Sequence, residues 1–168
     1  MNIAPAYYWM IEKCNAPDVG YSQAYRNQQM VDGITYYDCA SMIWFALAAA
    51  GFDMIRAYNE TVEPYYGNAF TTWQMPPVLN YLGFTRADLY GEWLPGDILL
   101  RNNHTEMVYS AAGSGAGVTM GAHTDEVPLT EQVSINDFIS GAYAWEEIWR
   151  YNSNDKPRSI IPVLMGGI

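Results

Sequence analysis

"YYDCASMIWFALAAAGF", Tyr36 to Phe52, places one of only two cysteines directly ahead of a long apolar run. Asp38 has the chemistry of a helix N-cap and Gly51 that of a left-handed C-terminal stop. A helix is therefore predicted from about Cys39 to Ala50. Its apolar residues go nearly all the way round, which predicts a central, buried helix. Cys39 then falls in the first turn. It is either a small core residue or a nucleophile at the positive end of a helix dipole.

On the N-terminal side, residues 4 to 14 read as a helix, with Pro5 tolerated in its first turn. The polar, turn-rich stretch from Asn15 to Tyr37 reads as a loop or a pair of short extended pieces. Beyond the central helix, residues 53 to 70 read as loop. A third helix is predicted from Thr72 to about Leu82, ended by Gly83. The character then changes. Pro95-Gly96 is a turn signal ahead of a strand near Asp97 to Arg101. "HTEMVYSAA" and "GVTMGAHT" read as two further strands joined by "AGSGAG". "SINDFISG" reads as a short helix, with Ser134 and Asp137 at capping-box spacing. "AYAWEEIWRY" reads as a last strand. Helices first and consecutive strands afterwards predict an α+β domain with a small antiparallel sheet. The domain is expected over residues 1–152. Residues 153–168 are expected to be a linker or the start of a C-terminal wall-binding region.

Composition narrows the function. Hydrophobic residues make up 50% of the 168 and charged residues 15%, which fits a compact globule rather than a disordered chain. A net charge of -10, with only eight Lys and Arg, argues against nucleic acid and anionic membrane as partners. No apolar run reaches membrane-spanning length, and the N-terminus has no basic start or cleavable apolar segment, so no signal peptide is expected. Fourteen Tyr and six Trp suit a groove for glycan or peptide, although a plain core accounts for most of them. Two cysteines, Cys14 and Cys39, make no disulfide framework.

Cysteine nucleophiles act as thiolates, a form favoured by a helix N-terminus and a neighbouring imidazole. The chain has two histidines, His104 and His123, both at or near ends of predicted strands. A cysteine on a helix end facing a histidine on a sheet is the papain-like arrangement.

"VGYSQAYR" followed by "YYDCASMIWFALAAAGF", then "PGDI" and "HTEM", resembles the phage peptidoglycan amidases, a branch of the NlpC-type papain-like cell-wall hydrolases. The resemblance spans most of residues 4 to 150, and the order of its motifs is more specific than any one of them. It implies Cys39 as nucleophile and His104 as general base. It places the residue that orients the histidine on the next strand, where the match is His123, with Asp125 the alternative. It implies Tyr21, Asp38 and Glu106 as substrate-side residues, although Asp38 is as well suited to capping the helix. Ala40 stands where the family often has Ser. The implied activity is an N-acetylmuramoyl-L-alanine amidase, the catalytic part of an endolysin, or a peptide-stem endopeptidase using the same site. No metal or other cofactor is implied. The implied setting is synthesis in the host cytoplasm and action on the cell wall after release.

Two rivals remain. His104 with Glu106, and His123 with Asp125, could join Cys39 in a zinc set, although no recognised ligand spacing is present. A non-catalytic phage tail or wall-binding module could retain the fold and bind glycan without cutting. The acidity carries its own expectation. Gram-positive walls are polyanionic, so a separate wall-binding element is expected to deliver the domain.

Overall fold

The computed structural model describes residues 1–152. The expected tail, residues 153–168, lies outside the described residues. The chain runs α1 (Ala4–Asn15), β1 (Val19–Tyr21), β2 (Asn27–Val31), β3 (Ile34–Tyr37), α2 (Cys39–Ala49), α3 (Met54–Thr61), α4 (Met75–Tyr81) and β4 (Phe84–Arg86). It continues with β5 (Ile98–Arg101), β6 (His104–Ala111), β7 (Ala116–Ala122), α5 (Leu129–Gln132), β8 (Val133–Ile135), β9 (Ser140–Gly141) and β10 (Glu147–Tyr151). This is an α+β architecture. The main sheet has seven strands in the order β4-β10-β5-β6-β7-β8, with β9 also on β7. All its pairings are antiparallel. It is larger than the small sheet expected.

The central helix is where the opening stretch put it. Asp38 accepts from the Ser41 amide at 2.8 Å, and the Ser41 hydroxyl accepts from the Asp38 amide at 2.9 Å. Two backbone donors are thereby satisfied reciprocally. Gly51 closes the helix at φ +90°, a conformation that costs glycine little. Helix α2 is buried from Cys39 to Trp44 and again at Ala46 and Leu47, packed on α1 and on β6 and β7.

Strand β5 shows why the sheet segments are so apolar. Ile98 and Leu100 enter the main core with the helices, whereas Leu99 joins a second cluster with Trp93, Val108, Trp145 and Ile148. Both faces are covered, so the strand reads as a continuous apolar run. The "PGD" turn ahead of it is held by Asp97, whose carboxylate accepts from the Leu94 amide at 2.8 Å and from Arg150 at 2.9 and 2.7 Å.

Four local expectations are corrected. The stretch before α2 forms a three-stranded sheet, β1-β3-β2, where a loop or a pair of short extended pieces was expected. Its β2–β3 hairpin turns on Asp32-Gly33, both at positive φ, as a two-residue turn between right-twisted strands requires. Residues 54–61 are helix, not loop: Asp53 accepts from the Arg56 amide, and Met54, Ala57 and Tyr58 bury one face. "SINDFISG" is not a helix. Ser134 and Ile135 lie in β8, and the Asn136 amide donates to Thr119 at 2.9 Å, because an open edge of β7 offers ladder partners. The capping box expected between Ser134 and Asp137 is therefore absent. In "AYAWEEIWRY" only Glu147–Tyr151 is strand, after a 3-10 turn at Ala142–Ala144.

Candidate active site

The start of α2 is tied down from three directions. Arg26 is buried, and its guanidinium donates to Asp38 at 2.6 Å, to the carbonyls of Ala69 and Phe70 at 2.6 Å each, and to the Asn68 side chain at 2.7 Å. One rigid fork thus joins the β1–β2 connection, the helix cap and the loop before α4. Asp38 is fully engaged by Arg26 and Ser41. Its place is the helix cap, the role its chemistry suited better than a contact with substrate.

Cys39 is 9% exposed. Its thiol donates to the Asn103 carbonyl at 3.9 Å. Asn103 sits in the two-residue turn between β5 and β6, where Arg101 pairs with His104. Its φ of +63° is a left-handed conformation that asparagine tolerates better than most residues. The hairpin brings the first residue of β6, His104, beside the first residue of α2.

The His104 ring interacts with Cys39 and Glu106. Burial alone would lower its pKa. Hydrogen bonding to Cys39 and Glu106, with the negative charge of both, outweighs that and raises it to about 9. Its Nε2 lies 3.3 Å from one Glu106 carboxylate oxygen, which leaves Nδ1 for the sulfur. Trp145 stacks on the ring at 5.8 Å and 22°. The indole is itself held by a hydrogen bond to Ser140 at 2.8 Å, with the Arg101 guanidinium 5.1 Å from its centroid.

Glu106 sits at the centre. It is 6% exposed. Its second oxygen lies 3.2 Å from His123 Nδ1 and accepts from the Asn136 side chain at 2.9 Å. Burial would raise its pKa, but the hydrogen bond and charge of His104, the charge of His123 and the Asn136 amide hold it below its ordinary value. Gly121 makes room for it, since a Cβ there would come within 3.2 Å of Glu106 Cγ.

The structure thus gathers Cys39, His104, Glu106 and His123, but not in the expected order. The group against His104 is Glu106, not His123. The two imidazoles stand 6.5 Å apart, with the carboxylate between them. His123 is a further partner of that carboxylate, and its Nε2 faces the Ser134 carbonyl at 3.0 Å. Asp125 makes no contact with His104. Glu106, expected on the substrate side, has both oxygens taken up inside the protein. The signal for its place was available: His104 and Glu106 are two apart on a strand and share a face. Asn136, Trp145 and Arg26 were missed as site residues; Arg26 closes the "VGYSQAYR" motif, whereas no local pattern marked Asn136 or Trp145.

Tyr21, expected beside the cysteine, ends β1, the strand paired with β3 ahead of α2. Its hydroxyl accepts from Gln23 at 3.2 Å, and its amide donates to Gln132 at 2.9 Å. Burial raises its pKa, the Gln23 hydrogen bond opposes, and the charges of Cys39 and Asp38 add to the rise. Cys14 is free and buried, with burial first and Glu106 second pushing its thiol up to about 12. Such a thiol is inert, which leaves Cys39 as the candidate nucleophile.

His104, Glu106 and His123 also offer three donor atoms within 4.8 Å of one another, a set that could hold a metal ion. Asp125 and Cys39 are not part of it. No helix among the described residues is long and apolar enough to cross a membrane.

No family model, no curated protein and no solved structure matches this chain.

Proposed function

We propose that this protein is a papain-like thiol hydrolase that cleaves an amide bond in bacterial peptidoglycan, acting as an N-acetylmuramoyl-L-alanine amidase of the endolysin type. What supports the thiol chemistry is the β5–β6 hairpin, which sets His104 next to the Asn103 carbonyl that meets the Cys39 sulfur at 3.9 Å, with the buried Glu106 carboxylate 3.3 Å from the ring. The choice of substrate rests on the motif resemblance around Tyr21, Cys39, Asp97 and His104.

In this mechanism His104 takes the Cys39 proton and is held as the imidazolium by Glu106. The thiolate attacks the amide carbonyl. The Cys39 amide lies in the first turn of α2, where helical N–H groups lack intrahelical acceptors, and it helps hold the oxyanion. The imidazolium protonates the leaving amine. Water, deprotonated by His104, then attacks the thioester and frees the acyl group. Glu106 is a positioning residue, with Asn136 and His123 orienting its carboxylate.

Mass spectrometry of digested peptidoglycan tests the assignment. Lactyl-terminated glycan with intact stems is expected. Shortened stems mean a peptide-stem endopeptidase, and absence of Cys39-dependent products overturns the hydrolase altogether.

A metal-dependent hydrolase is the second reading, favoured by the convergence of His104, Glu106 and His123. It predicts activity lost to chelators and restored by zinc. The thiol mechanism predicts activity indifferent to chelators and abolished by alkylation of Cys39.

A further inference from the structure

The β5–β6 turn that meets Cys39 also borders a cavity of about 190 Å3, lined by Trp73, Arg101, Asn102, Asn103, Glu146 and Glu147 among others. That is below the ~300–1,000 Å3 of pockets for drug-sized ligands, so it seats one small unit rather than a polymer segment. Trp73 supplies an unusual wall. It is 77% exposed, a large flat apolar face left open to solvent. The remaining lining mixes apolar Pro76 and Leu100 and the Thr72 hydroxyl with planar hydrogen-bonding groups: amides, a guanidinium and carboxylates. Glu146 is held in place by accepting from the Asn102 amide at 2.6 Å. Glu147 accepts from Trp149 at 2.9 Å.

A flat apolar face beside planar hydrogen-bonding groups matches a pyranose ring, which has an apolar C–H face and a rim of hydroxyls. An acidic peptide fits worse, because two glutamates line the cavity against one arginine. Two contacts join the cavity to the chemistry. Asn103 both lines it and receives the Cys39 thiol at 3.9 Å. Arg101 both lines it and lies over Trp145, which stacks on His104. A ring seated here borders the turn whose Asn103 carbonyl meets the sulfur.

We infer that this cavity is a saccharide subsite that seats one N-acetylated pyranose, with Trp73 as its stacking platform. The inference rests on the hydrolase assignment above and deepens it. It places the glycan, rather than the stem peptide, at the β5–β6 turn.

The test uses the full chain carrying Cys39→Ala and, as probe, the methyl glycoside of N-acetylmuramic acid with its lactyl group as the methyl amide. Indole N–H resonances report on binding, and Trp73→Phe assigns the one that matters. The probe is expected to shift the Trp73 indole, and Trp73→Ala is expected to weaken binding about tenfold, the scale of one lost aromatic contact. In the Cys39 enzyme, Trp73→Ala should raise KM on muramoyl-peptide while iodoacetamide alkylates Cys39 at an unchanged rate. Probe binding that leaves the Trp73 indole unmoved, or that survives Trp73→Ala at full strength, overturns the subsite. Trp73-dependent binding without wall cleavage keeps the subsite and removes the hydrolase assignment. Cys39-dependent cleavage with neither KM nor probe binding changed by Trp73→Ala removes the subsite alone.

Discussion

One carboxylate oxygen of Glu106 lies 3.3 Å from His104 Nε2, and the other lies 3.2 Å from His123 Nδ1. A single buried carboxylate therefore governs both histidines of the chain. Glu106→Gln keeps the shape and removes the charge. It is expected to cut kcat by about 10²-fold with KM little changed, on the scale of lost support for a general acid–base. A purely structural role would not move the His104 titration. Imidazole NMR should show that titration falling below the value of about 9 it has with Glu106 present.

The pH profile follows from the same pair. In the proposed mechanism the protonated His104 ring is the acid that releases the amine, so kcat/KM is expected to hold up to about pH 9 and fall above it. Stability runs in parallel. His104 is raised above its ordinary value of 6.5, so its contribution is complete below 6.5 and is lost as pH rises to about 9. Glu106 is lowered, so its contribution is present above the ordinary carboxylate range and is lost as pH falls through its folded value. Melting temperatures across pH should show the alkaline decline in the native chain and a flatter curve in His104→Gln.

Arg26 fixes the geometry of the helix start through four groups at once. Arg26→Lys keeps the charge but cannot reproduce a planar fork. The variant should fold with lower stability and alkylate more slowly at Cys39. Equal alkylation rates in both proteins would mean that Asp38 and Ser41 hold the cap without help.

Asp97 is 2% exposed and bound bidentately by Arg150. Asp97→Asn leaves the guanidinium without its charge partner at the base of β5. A loss of about 3 kcal/mol is expected, the lower end for a broken buried pair because Arg150 is partly solvated. Urea unfolding measures it, and activity per folded molecule should be unchanged.

The net charge of -10 opposes approach to a polyanionic wall. Lysis of Gram-positive walls by this chain should therefore rise as salt increases from ~10 to ~150 mM, where the screening length shrinks from about 30 to 8 Å. Fusion to a cationic wall-binding module should remove that dependence. Turbidity assays across a salt series check both.

Local sequence already carried the helical half of the site. The spacing of Asp38, Cys39 and Gly51 announces a capped, apolar helix, because capping and stop signals act within a few residues. The strands bearing His104 and His123 are equally readable, since each is an apolar run between turn residues. What sequence could not convey is which group touches which ring. Glu106 lies on β6 and His123 directly after β7, and their meeting depends on sheet register, Gly121 clearance and the arrival of Asn136 from a segment that reads as helix. Trp145 reaches His104 from further along the chain, and Arg26 meets Asp38, Asn68, Ala69 and Phe70 only once three separate segments converge. Local chemistry thus determined the nucleophile's helix and the strands that face it. Long-range packing decided the partners, because hydrogen bonds between distant segments leave no periodic trace in the chain that makes them.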